Sequence, residues 1–194
     1  MFRLFNDRWV KEGRTADDVR RFFEETKADP STQNNYAIRW AAYNGHADVV
    51  RLLLEDPRVD PSAKNNDAIR WSTHARCTDV VKLLLTDRRV DPAIGENGPI
   101  RYASSRGNLE IVKLLLTDPR VDPSALDNEA IREASENGYL DVVRLLLEDS
   151  RVDPSADDNY AIQRAKQNGY TEVVNFLTEH MYRLDGPIYN KNII

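Results

Sequence analysis

The stretch "RVDPSA" at residues 58–63 returns as "RVDPAI" at 89–94 and again as "RVDPSA" at 120–125 and 151–156. The Asp-Pro pair inside it places Asp29, Asp60, Asp91, Asp122 and Asp153 at a constant interval of 31 residues. A fixed period of this length without insertions marks stacked supersecondary units, so it decides the architecture before any local assignment is made. Other columns keep the same period. Ile38, Ile69, Ile100, Ile131 and Ile162 align, as do Asn35, Asn66, Asn97, Asn128 and Asn159, and the leucine triplets that begin at Leu52, Leu83, Leu114 and Leu145.

Within one unit the apolar spacing predicts two short helices. Ile38, Ala41 and Ala42 fall at i, i+3 and i+4, one narrow buried stripe. Val49, Val50, Leu52, Leu53 and Leu54 cover nearly the whole circumference of a second helix, as expected when it is packed on several sides. Gly45, Gly107, Gly138 and Gly169 lie between the two and are expected to end the first in the left-handed conformation. Pro61 and its equivalents are read as the stop of the second helix. Asn35 and its equivalents occupy the linking loop, where asparagine tolerates a positive φ. Helices this short are marginal alone, so each pair must stack on neighbours, and the small column Ala41, Ser72, Ala103, Ala134 and Ala165 permits close approach.

The period divides the chain into N-terminal capping helices at 1–28, five repeats at 29–59, 60–90, 91–121, 122–152 and 153–180, and a C-terminal tail at 181–194. Val19, Arg20, Arg21, Phe22 and Phe23 align with the stretch from Val50 to Leu54 as a degenerate unit, with Arg21 where a leucine recurs. At the other end Lys166 replaces a small residue and Thr178 a leucine. Polar substitutions at both extremes suit a stack whose last faces meet water. The opening "MFRLFNDRWVKEG" reads as an amphipathic helix, and a secretory signal is not expected.

At 41% hydrophobic and 30% charged residues, the composition is that of a soluble chain, and no apolar run approaches membrane-spanning length. Cys77 is the single cysteine and has no internal disulfide partner, which fits a reducing cytoplasmic or nuclear setting. The net charge of -5 argues against nucleic-acid backbone binding.

"NGHADVVRLLLEDPRVD" at 44–60 and "RGNLEIVKLLLTDPRVD" at 106–122 resemble the second helix and exit of an ankyrin repeat. The resemblance covers residues 29–180 and implies an all-α, ankyrin-type α-solenoid of stacked helix-turn-helix repeats joined by short loops or hairpins. Two departures shorten the usual unit of about 33 residues: the family's T-P-L-H start is here A-I-R, as at Ala68, Ile69 and Arg70, and a residue is missing between the leucines and the valine. The DPSAxxNxAIR form is similar to ankyrin arrays of large DNA viruses and amoebae, which would extend the expected intracellular location to a host cell.

Convergent reactive groups are few: there is no phosphate-cradling glycine motif, no HExxH pair and no cysteine cluster with zinc spacing, so no cofactor, metal or catalytic set is expected. His74 and Cys77, with Arg76 beside them, form the one alternative, a reactive thiolate. The column Arg39, Arg70, Arg101 and Arg132 is read as structural pairing in preference to phosphate binding.

Faithful columns hold a scaffold, so varying columns are where a partner is recognised. The resemblance implies binding along a concave face formed by the loop fingers and first helices. Carried over, that face holds Tyr36, Trp40 and Tyr43 in the first repeat, Asp67, Trp71 and His74 in the second, and Tyr102 and Ser105 in the third. It continues with Glu129, Glu133 and Glu136 in the fourth and Tyr160 and Arg164 in the fifth. Trp40, Trp71 and Tyr102 would be either an exposed aromatic stripe or packing against the neighbouring helix, and the glutamates would steer a basic partner or simply be solvated. The function expected is a monomeric, non-enzymatic scaffold for a protein or peptide carrying basic residues and an apolar anchor. A structural spacer or self-assembling array is the alternative.

Overall fold

The computed structural model describes residues 15–185, and among them every regular element is an α-helix. The chain divides into two compact units between Asp91 and Pro92. The first contains α1 (Ala16–Thr26), α2 (Thr32–Tyr43), α3 (Ala47–Leu54), α4 (Ala63–His74) and α5 (Thr78–Leu84). The second contains α6 (Ile94–Ser105), α7 (Leu109–Leu116), α8 (Ala125–Glu136), α9 (Leu140–Leu146), α10 (Ala156–Gln167) and α11 (Thr171–Asp185). Each repeat is a pair, α2/α3, α4/α5, α6/α7, α8/α9 and α10/α11, and within each unit like stacks on like: α2 on α4 in the first, α6 on α8 on α10 in the second. Both units are the expected helix-turn-helix stacks.

The core follows the columns. Ile38, Ile69, Ile100 and Ile131 are fully buried, Ile162 nearly so, and the middle leucines Leu53, Leu84, Leu115 and Leu146 are sealed in the same way. Ala41, Ser72, Ala103, Ala134 and Ala165 have no exposed surface, which lets neighbouring first helices approach closely. The Ser72 hydroxyl, buried at that position, donates to the carbonyl of Ile69 at 3.1 Å.

Each first helix begins with a feature of unusual backbone geometry. Three consecutive residues are left-handed: Gln33, Asn34 and Asn35; Lys64, Asn65 and Asn66; Gly95, Glu96 and Asn97; Leu126, Asp127 and Asn128; Asp157, Asp158 and Asn159. A left-handed residue other than glycine is disfavoured by roughly 1–2 kcal/mol, so the turn needs compensation. The asparagine N–H closes each turn on the carbonyl four residues back, as from Asn66 to Ser62 at 2.8 Å. The asparagine Oδ1 then accepts the backbone N–H of the aspartate that opens the next repeat: Asp60 on Asn35, Asp91 on Asn66 and Asp153 on Asn128 at 2.8 Å, and Asp122 on Asn97 at 2.7 Å. Except at Asp91, where Ala93 takes the serine's place, that aspartate in turn accepts from the serine two residues on, Ser62 N–H to Asp60 at 2.9 Å, Ser124 N–H to Asp122 at 3.0 Å and Ser155 N–H to Asp153 at 2.8 Å.

One expectation is amended. The second helices end at Leu54, Leu84, Leu116 and Leu146, well before the prolines at 61, 92, 123 and 154, so those prolines do not stop them. The stop is a tight turn in which the N–H of Val59 reaches the carbonyl of Asp56 at 3.0 Å, repeated at Val90, Val121 and Val152. At the far end α11 continues to Asp185 and buries Met181 at 2% exposure, so the first residues after 180 extend the last helix. At the near end, α1 packs Val19 against the first repeat and is opened by a Thr15–Asp18 capping box. The amphipathic helix read from the opening stretch lies outside the described residues.

Replacing the fully buried Leu115 by alanine removes a core side chain and should cost about 2–5 kcal/mol. Asn128→Ala leaves the Asp153 N–H without its acceptor and should cost about 1–3 kcal/mol. Urea denaturation checks both, and an Asn128→Ala midpoint equal to the parent's would show that the side-chain bridge is dispensable.

Candidate binding surface

In the first unit the candidate residues converge on Arg39. Its guanidinium lies 4.9 Å from the ring centre of Trp71 and 5.9 Å from that of Tyr36. Asp67 accepts it through Oδ2, from Nη2 at 2.9 Å and Nε at 3.1 Å, and receives Arg70 Nη1 on Oδ1 at 3.2 Å. Asp67, expected as a contact residue, is buried, so its carboxylate serves the unit's interior. Trp40, Tyr36 and Trp71 are half-buried, while Tyr43 is 53% exposed and meets Trp71 edge to face at 6.1 Å. Trp40 lies 5.2 Å from the His46 ring, and His74 is exposed at the end of α4. Here the aromatic column is packed and partly open at once: one face of Trp71 holds an arginine, and neither indole is sealed.

In the second unit Arg101 pairs with Glu129 at 3.1 Å, and Arg106 lies 5.5 Å from the ring centre of half-buried Tyr102. The Ser105 hydroxyl donates to the Tyr102 carbonyl at 2.9 Å and is thereby held to its own helix. Tyr160 donates its hydroxyl to Glu136 at 2.9 Å. Arg132 and Arg164 both lie over the Tyr160 ring, at 4.9 and 4.8 Å. Arg132 also pairs with Asp157, and Arg164 reaches Gln167 at 2.8 Å. Burial pushes the Glu133 carboxyl above the usual glutamate range, and the carboxylates of Glu136 and Glu129 push it further.

The arginine column therefore pairs structurally, as expected, with Arg70 as the exception: it shares Asp67 with Arg39. The sequence signal for this pairing is an offset of 28 residues from Arg39 to Asp67, from Arg101 to Glu129 and from Arg132 to Tyr160. A second set of pairs closes every exit turn. Arg58, Arg89, Arg120 and Arg151 donate to Asp56, Asp87, Asp118 and Asp149 at 2.6 Å. These bonds hold all four carboxyls below the usual aspartate range. Arg89 and Arg151 also donate to the Val59 and Val121 carbonyls one repeat earlier, at 2.7 and 3.0 Å. Cys77 sits beside the Gly45 backbone, and burial pushes its thiol up, away from the thiolate that the alternative reading requires.

Among the described residues, no group of His, Cys, Asp and Glu could hold a metal ion, and no helix is long and apolar enough to cross a membrane. The family model described as ankyrin repeats in three copies matches residues 9–96 and again residues 100–188. No curated protein matches the chain.

The carboxyl shifts have opposite signs. A lowered aspartate stabilises the fold above the unfolded value, about 3.9, and loses that contribution as pH falls through its folded value. Asp118→Asn should therefore be less stable than the parent at neutral pH, with the gap closing in acid. A raised glutamate favours the fold only while protonated, so Glu133→Gln should be more stable near neutral pH. That advantage should shrink as pH falls through the raised folded value and be gone below the unfolded value, about 4.3. Thermal midpoints measured from acid to neutral pH check both.

Proposed function

The chain belongs to the ankyrin-repeat family, and we propose from that premise that it is a monomeric, non-enzymatic interaction module for a protein or peptide. Ankyrin repeats are in general protein-binding modules. The proposed contact surface is the concave face formed by the loop fingers and the exposed sides of the first helices. In the first unit it offers Trp40, Tyr43 and Trp71 to an apolar anchor. In the second, Glu129, Glu133 and Glu136 receive basic residues.

The observation that carries this reading is Tyr43, 53% exposed against the edge of Trp71, on a helix whose scaffold positions Ile38, Ala41 and Ala42 are fully buried. Partly exposed tryptophan and tyrosine dominate binding energies, each contributing about 2 kcal/mol or more where they anchor a partner. The second support is Glu133, whose carboxyl is crowded by burial and by two neighbouring carboxylates; an incoming cation would relieve that repulsion. The single half-buried thiol fits a cytoplasmic or nuclear protein.

Partners recovered from the native host should bind Trp71→Ala about tenfold or more weakly, measured at a temperature where circular dichroism shows both proteins folded. Glu133→Lys combined with Glu136→Lys should slow association and flatten its dependence on salt. Undiminished affinity in both variants would reject this surface. Light scattering that shows mass rising with concentration would favour end-to-end assembly instead.

A further inference from the structure

The first helices of the first unit carry an excess of positive charge where the aromatics are exposed. α2 has one charged side chain, Arg39, and α4 has Lys64 and Arg70 against a single carboxylate, Asp67. Asp67 is shared. Arg39 takes Oδ2 with two N–H groups, inside the unit, while Arg70 reaches Oδ1 with one, its side chain 51% exposed. One carboxylate cannot neutralise two guanidiniums, so net charge remains on Arg70, which keeps further N–H donors in the fork geometry that matches a carboxylate. Lys64 is exposed on the left-handed turn, and among the described residues no ion pair joins it. Asp67 stands three residues before Arg70 and four before Trp71 on α4, so the cation and the indole that Tyr43 abuts are both neighbours of the shared carboxylate, and Arg39 joins the two by pairing with Asp67 and lying 4.9 Å from the Trp71 ring. α8 in the second unit carries the opposite balance, with Asp127, Glu129, Glu133 and Glu136 against Arg132.

We propose that this face of the first unit docks a partner segment in which a large apolar side chain is flanked by aspartate or glutamate. The apolar group packs on Trp40, Tyr43 and Trp71, and the carboxylate bridges Arg70 and Lys64. The proposal rests on the reading that this surface binds polypeptide and names the chemistry of what it binds. A peptide fits better than a nucleic acid, because a chain of net charge -5 repels an extended polyanion, while one local surplus charge accepts a single carboxylate.

The test selects a displayed library of random peptides on the full chain and measures the enriched sequences by fluorescence anisotropy. Peptides with Asp or Glu beside Leu, Phe or Trp are expected. They should lose about tenfold or more in affinity on Arg70→Glu and on Trp71→Ala, lose less on Arg70→Lys, and weaken as salt rises. Arg70→Gln, which adds no charge beside Asp67, should lose affinity with an unchanged thermal midpoint. Trp71-dependent peptides with basic or neutral flanks, indifferent to Arg70→Glu, would overturn this inference and leave the interaction reading standing. Failure to enrich any Trp71-dependent peptide would overturn both. A single-stranded oligonucleotide binding more tightly than every selected peptide would overturn the choice of polypeptide.

Discussion

One side-chain amide per repeat holds the architecture in register. The asparagine at 35, 66, 97 and 128 must close a left-handed turn with its own N–H and accept the next repeat's aspartate N–H with its Oδ1. Few residues meet both demands. Asparagine tolerates a positive φ and places a neutral acceptor one carbon beyond Cβ, whereas glycine would supply the backbone without the acceptor. Because the acceptor is on one repeat and the donor opens the next, the bond fixes both the length of a repeat and the placement of the following one. A residue inserted between them would move the donor away and leave a polar group unsatisfied. The absence of insertions between the regular repeats follows from that geometry.

The same economy governs the exit turns, where aspartate and arginine two residues apart close each loop locally and need nothing from the first helices' outer faces. Stability therefore comes from the leucines, the small column, the asparagine bridges and these exit pairs. All of them recur with the period. The outer faces are left to differ, and they do: tryptophan at positions 40 and 71 becomes tyrosine at 102, glutamate at 133 and arginine at 164 without disturbing the isoleucines beneath.

The paired helices, the buried small column and the sealed leucines were all legible from apolar spacing, because periodic burial writes itself into residue type. The left-handed turn was legible only at its last residue. Gln33, Lys64 and Leu126 have no preference for positive φ, and the hydrogen bonds that hold them there belong to their neighbours. Pro61 misled for a related reason: a proline excludes helix at its own position, but the helix had already ended at Leu54 in a turn made by Asp56. Asp67 reads as a surface group because residue type does not reveal that two arginines from different repeats compete for it. The pairing offset of 28 residues is visible in the sequence, yet it acquires meaning only once the stacking of first helices is known.

Two features run against stability and are not demanded by the scaffold. Glu133 holds a carboxyl where burial and two like charges disfavour its ionisation, although the equivalent positions 40, 71, 102 and 164 show that aromatic or cationic residues fit the same site. Tyr43 leaves a large ring half in water, where the equivalent positions carry His74, Ser105, Glu136 and Gln167. Both stand on the side of the repeat that the structural columns leave free, where the proposed partner would offset the two penalties by covering the ring with apolar surface and setting a cation against the carboxylate.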